Sequence, residues 1–202
     1  IYVFETEEES DTPDYNGYEY VDLGLPSGLK WATCNVGATK PEEYGNYYAW
    51  GETATKSEYA DSNSLTDELS ISELQAQGII DGNSNLTPQY DAATANWGGT
   101  WRMPTSAEQG ELFNNCTWEW TTQNGVNGYK VTSKKNGNSI FLPAAGYIND
   151  DYLSNAGSLG YYWSSSLSFF SYDGYGVDFI SSRIMKSFFG RFSGQSVRAV
   201  CE

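Results

Sequence analysis

The sequence predicts an α+β fold, with its helices in the first half of the chain and most of its strands in the second. Two observations carry this. Helix-start signals cluster before residue 116, whereas the remainder reads as short alternating runs separated by Asn-Gly pairs. The 21 Gly beside only 6 Pro suit many turns and short strands better than a helical bundle. Runs of one type followed by runs of the other argue against alternating βαβ units.

Residues 1–17 stand apart. Glu5, Glu7, Glu8, Glu9, Asp11 and Asp14 surround Pro13 with little apolar periodicity, which predicts an acidic tether extended by self-repulsion. A folded domain is expected over 18–202. Tyr20 to Gly24 reads as a short strand, 25–28 as a turn, and 29–36 as an alternating, half-buried strand. Pro41, Glu42 and Glu43 suit the first turn of a helix. Residues 53–87 form a polar insertion with one weak helix between Leu65 and Ile80, ended near Gly78. Thr87-Pro88 opens a second helix, to Trp97, closed by Gly98-Gly99. Thr105 with Glu108 three residues on forms a capping box, predicting a helix to about Asn115 with Leu112 on its apolar side. Beyond it, Asn124-Gly125, Asn127-Gly128 and Asn136-Gly137 mark turns. Strands are expected at 129–132, 139–143, 160–166, 175–179 and 195–200.

Composition excludes several functions. A chain of 202 residues closes around one core, or two at most. Eleven basic against 26 acidic residues give a net charge of −15, so the chain repels phosphate backbones and anionic membrane surfaces. No histidine is present, which removes Ser-His-Asp and Cys-His catalysis and histidine-held zinc. Cys34, Cys116 and Cys201 are too far apart for a CxxC metal site and read as small buried hydrophobes or as one disulfide with a free thiol. No run of about 18 apolar residues is found, so no transmembrane segment is expected. No cofactor or metal is implied. Asp150 and Asp151 lack the spacing of a calcium loop and read as an exposed turn. Asn85-Leu86-Thr87 and Asn115-Cys116-Thr117 match the short N-glycosylation pattern.

Residues 168–193 are the unusual feature. Alternation sends Tyr175, Val177 and Phe179 to one face, a core pattern. The rings outside it lie in Gly/Ser-rich stretches with no consistent period, which predicts a long loop. A loop cannot bury so many rings, so several are expected in solvent, as a binding surface uses them, although they also suit a cap over the core. Phe169, Phe170, Tyr172, Asp173, Asp178, Arg183, Met185, Phe188, Phe189 and Phe192 are the candidate ligand-binding residues, expected to converge on one solvent-facing patch. Tyr161, Trp163, Tyr175, Val177, Phe179 and Val197 are expected to be core.

Several strings together resemble a known family: VDLGLPSGLKWATCNVGATKPEEYGNYYAWGE (21–52), YDAATANWGGTWRMPTSAEQGELFNNCTW (90–118), GYKVTS (128–133), SIFLPAAGY (139–147), GYYWSSS (160–166) and GQSVRAV (194–200). They are similar to the Fibrobacter succinogenes major paralogous domain family of Bacteroidetes surface lipoproteins. The resemblance implies a C-type-lectin-like domain with two main helices and a twisted antiparallel sheet. It also implies display at the outer-membrane surface, with residues 1–17 spacing the domain from a lipid anchor that is not in this sequence. The segment between YWSSS and GQSVR further resembles the variable region of diversity-generating-retroelement proteins: it holds no Asn and carries Ser, Phe, Tyr, Asp, Gly, Ile and Arg, the residues adenine mutation produces from Asn codons. Met185 and Lys186 depart from that pattern.

The expectation is a non-enzymatic adhesion or recognition domain for a protein or glycan ligand, with no nucleic-acid partner. An enzyme of the formylglycine-generating type is the alternative, but no cysteine pair is placed for its chemistry. A calcium-dependent lectin is a further one, but no Glu-Pro-Asn triplet occurs. Fold likeness alone does not choose among them.

Overall fold

The chain opens its first sheet with two very short strands, β1 (Asp14–Tyr15) and β2 (Tyr18–Asp22), joined through Asn16-Gly17 with both residues at positive φ. The computed structural model describes residues 13–170 and 172–202. The acidic run up to residue 12 lies outside the described residues. The boundary expected at residue 17 falls inside the fold, because Trp101 Nε1 donates to the Tyr15 carbonyl (2.9 Å) and the Thr100 amide donates to the Tyr15 hydroxyl (3.1 Å). β3 (Lys30–Ala32) pairs with β2 on one side and with β12 (Val200–Cys201) on the other, so the two ends of the described fold meet in one antiparallel sheet.

Three short α-helices follow among the described residues. α1 (Ile71–Ala76) is capped by Ser70 and ends before Gly78, at φ 68°. The helix expected up to Trp97 splits at Asp91 into a 3₁₀ turn (Pro88–Tyr90) and α2 (Ala92–Trp97), because the Asp91 carboxylate accepts from Thr94 N and becomes the cap. α3 (Ser106–Asn115) begins at the Thr105/Glu108 capping box, where Glu108 also takes a bidentate hydrogen bond from Arg102 at 2.7 and 2.8 Å. Residues 41–44 form a turn instead of a helix: the Glu43 carboxylate turns back onto the amides of Thr39 and Lys40.

The rest is β-structure. β4 (Cys116–Gln123), β5 (Val126–Ser133) and β6 (Ser139–Pro143) form one antiparallel sheet, and β7 (Tyr147–Asn149) with β8 (Tyr152–Ser154) a separate hairpin. Asn124-Gly125 makes the β4–β5 turn with both φ positive, as such a turn requires. Asn127-Gly128 does not turn. It lies within β5, where a Cβ on Gly128 would sit 2.7 Å from the Phe141 ring. β9 (Leu159–Leu167), β10 (Asp173–Ile180) and β11 (Arg183–Gly190) form the third sheet, in the order β11-β10-β9. β11 falls where a loop was expected.

The expected α+β class is therefore corrected. About 40% of the described residues are strand and 15% helix, with the strands spread over several sheets. An arrangement with two main helices, as the C-type-lectin likeness implied, is not the architecture of this chain, because α1 and α2 are only six residues long.

Two apolar clusters hold these layers. One gathers Trp50, Trp97, Trp101, Trp163, Leu74, Ile79 and Val197, and the other Leu112, Tyr129, Val131, Leu142, Tyr162, Val177 and Phe179. Trp163, Val177, Phe179 and Val197 are core, as alternation predicts, whereas Tyr161 and Tyr175 are only half-buried. All three cysteines are buried and free, so the disulfide alternative is not realised. Two arginines are buried as well. Arg198 donates to Asn35 Oδ1 and to the carbonyls of Ala32 and Phe141 at 2.9–3.2 Å, and burial lowers its pKa. Arg191 donates to the carbonyls of Asp67 and Leu69 at 2.9 and 2.7 Å, fastening the polar insertion to the end of β11.

Candidate ligand-binding surface

β10 pairs with β11 in an unbroken antiparallel register, Tyr175 opposite Phe188 and Gly174 opposite Phe189. Because side chains alternate along a strand, Phe188 shares one face with Tyr175, Val177, Lys186 and Ile184. Phe189, Ser187, Met185 and Arg183 share the other with Gly174, Gly176 and Asp178. The ten candidates therefore do not converge on one patch, which corrects the sequence expectation. The cause is the strand at 183–190, which turns neighbouring side chains to opposite sides.

The first group is an exposed aromatic cluster. Phe169 and Phe170 sit in the bend after β9, their centroids 4.1 Å apart, and Phe170 lies 4.6 Å from Phe188. Phe169 adds contacts to Phe188 at 6.0 Å and to Tyr175 at 6.2 Å. These rings remain in solvent: Phe169 is 69%, Phe170 45% and Phe188 43% exposed. The Ser168 amide donates to the Asp173 carbonyl and the Asp173 amide to that of Phe170, closing the bend that carries Phe169 and Phe170.

The support beneath is rigid. Between Gly174 and Gly176 the β9–β10 register shifts, and Ser164 Oγ donates to the Tyr175 carbonyl at 2.7 Å. Trp50 Nε1 donates to the Ser164 carbonyl at 3.0 Å. A Cβ on Gly174 would lie 2.7 Å from the Trp50 ring, so only glycine lets the strand approach that indole. Trp163 Nε1 bonds the Tyr48 carbonyl at 2.8 Å. Framework tryptophans thus fix the strand from which the rings project.

The second group lies on the opposite face. Phe189 is half-buried, 4.8 Å from Tyr161 and 6.0 Å from Trp163. Met185 is exposed and Phe192 half-buried. Asp178, expected to meet ligand, is buried instead. Its carboxylate accepts a hydrogen bond from Ser187 Oγ and one from Arg183 at 3.4 Å, so it pins β10 to β11. Arg183 itself is exposed.

Tyr172 and Asp173 join neither group. Tyr172 is exposed and lines an open groove with Asp67 and Glu68, while burial raises the Asp173 carboxyl against the opposing pull of Arg191. Sequence reasoning missed Tyr147, Asn149 and Gln195, which border Phe189 and Phe192 in a cavity. The i, i+2 spacing of Tyr147 and Asn149 on a short strand was their available signal.

Asp150 and Asp151 are exposed at the tip of the β7–β8 hairpin, Asp150 at φ 54°. Among the described residues no helix is long and apolar enough to cross a membrane. No family model, curated protein or solved structure matches the chain.

Proposed function

We propose that this chain is a recognition domain that binds a protein or glycan through Phe169, Phe170 and Phe188. The observation that carries this reading is the meeting of three exposed phenyl rings, from segments some twenty residues apart, over a framework fixed by Trp50 and Trp163. Rigid rings held in solvent supply contact area with little ordering left to do on binding, and exposed aromatic patches mark interaction sites. The family resemblance of the framework strings favours display at the outer-membrane surface, and the Asn-free segment 167–193 favours a face that differs between related chains.

The thiols favour a non-catalytic role. Burial pushes Cys34, Cys116 and Cys201 upward, Cys116 to about 11, so at neutral pH all three stay protonated and poorly nucleophilic. The test is a protein and glycan array probed with the chain and with its Phe170→Ser/Phe188→Ser variant. Spots held by the parent and released by the variant support the reading; spots held equally by both refute it.

A further inference from the structure

β11 is the outer strand of its sheet, and among the described residues no strand but β10 pairs with it. The two strands close through a tight turn at Ser181 and Ser182, with Ile180 opposite Arg183. Along an antiparallel pair, hydrogen-bonded and non-bonded residue pairs alternate, so every second residue of β11 turns its N–H and C=O away from β10. The next residue of the chain fixes which ones. The Arg191 amide continues the ladder and donates inward to the Tyr172 carbonyl at 3.1 Å. Odd-numbered residues of β11 therefore bond β10, and Ile184, Lys186 and Phe188 aim their main-chain groups outward. Among the described residues none of these three makes a main-chain hydrogen bond on that outer side.

The side chains along this edge are selective. Phe188, 43% exposed, brings the phenyl cluster to it, and Lys186 shares its face about 7 Å along the strand. Lys186 is exposed and reaches over α3, where a Cβ on Gly110 would lie 2.8 Å from its Nζ. It has no ion-pair partner among the described residues, whereas Arg183 is paired with Asp178. The other face presents Met185, which is exposed, and Phe189, which is half-buried. β11 thus carries two of the chain's eleven basic residues and no acid, on a molecule of net charge −15. A lysine on an open edge repels strands indiscriminately, except one that sets a carboxylate opposite it.

We infer that β11 binds an extended, acidic segment of a protein partner by strand addition at this edge. The inference rests on the phenyl cluster being a ligand face, and it narrows that ligand to a protein strand. Main-chain groups of Ile184, Lys186 and Phe188 hold the added strand, and the side chains choose it. Antiparallel addition, the more favourable pairing per residue, sets apolar residues opposite Phe189, Phe188 and Met185, a polar one opposite Ser187 and a carboxylate opposite Lys186. Read in the partner's own direction, the segment is apolar, apolar, polar, acidic, apolar. A second copy of β11 fits poorly, because it brings lysine and arginine where a carboxylate is needed.

The test is amide hydrogen exchange of the whole chain, read residue by residue by NMR, without and with the blocked peptide Thr-Val-Val-Thr-Glu-Val-Thr. In the free chain the amides of Ile184, Lys186 and Phe188 should exchange fast and those of Met185 and Ser187 slowly. The peptide should protect the first three saturably. The same peptide N-methylated at its glutamate and second valine, which removes the N–H groups facing β11, should give no protection. Replacing its glutamate by lysine should weaken binding about tenfold, and Lys186→Glu in the chain should reverse that preference. Outer amides already slow in the free chain, no protection by the peptide, equal protection by its N-methylated form, or indifference to the charge exchange overturns the inference. A protein captured through Phe170 and Phe188 that leaves the three outer amides exchanging fast also overturns it, while sparing the reading of the phenyl cluster.

Discussion

Phe188 and Phe189 are neighbours in sequence yet serve opposite faces of the β10–β11 hairpin: Phe188 lies 4.6 Å from Phe170 in solvent, and Phe189 lies 4.8 Å from Tyr161 against the first apolar cluster. Two substitutions that look equivalent in the sequence therefore probe different things. Phe188→Ser removes a largely exposed ring and should change stability by about 1 kcal/mol or less. Phe189→Ser opens a gap beside Trp163 and should cost about 2–3 kcal/mol. Urea unfolding of the two single variants checks this, and equal losses would mean that the strand register is wrong.

Trp163 is fully buried and its indole N–H is bonded to Tyr48. Trp163→Ala should cost about 3–5 kcal/mol through the cavity it leaves. Gly174→Ala should also destabilise, since its methyl would need the Trp50 ring to shift. Intrinsic tryptophan fluorescence of Gly174→Ala is expected to change, because the substitution presses on Trp50. An unchanged spectrum and midpoint would show that the strand and indole are less closely packed than described.

The pH dependence has a definite sign on the alkaline side. Burial holds Cys116 up at about 11 against 9.0 for a free thiol, and Tyr162 at about 12 against 10.0 for a free phenol. The folded chain keeps protons that the unfolded chain releases first, so their contribution should be intact up to about pH 9 and be lost between about 9 and 12. Denaturant midpoints across that range measure it. At pH 8 the native chain should resist thiol alkylation, whereas three sites should react once it is unfolded in guanidinium. Rapid native alkylation would contradict the burial of the thiols.

Much of the local structure was legible in the sequence, and the reasons differ by element. Thr105 and Glu108 announced α3 because a capping box is a short-range signal that tertiary context rarely overrides. β6 and the greater parts of β9 and β10 were legible because their inward residues meet a continuous core. β11 was not. Ile184 and Phe188 lie on one side and Met185 and Phe189 on the other, so apolar residues occupy both faces and period-2 contrast disappears. Asn127-Gly128 misled because glycine there serves close approach to Phe141, which looks identical to a turn signal in one dimension. The fold class failed for a related reason: capping signals show that a helix starts but not how soon it stops, and two of the three α-helices stop after six residues. Of the six rings expected in solvent, Phe169, Phe170, Tyr172 and Phe188 are exposed, whereas Phe189 and Phe192 are half-buried, and the division between two faces was not legible.

The central claim is that Phe170 and Phe188 contact ligand while carrying little of the fold. Its most direct measurement takes a partner captured on the array and titrates it by calorimetry against the parent chain and the Phe170→Ser/Phe188→Ser variant, with thermal melts of both. The account predicts an affinity loss of about tenfold or more, at least ~1.4 kcal/mol, with a melting temperature shifted by no more than a few degrees. Unchanged affinity, or a variant without a cooperative melt, would contradict it.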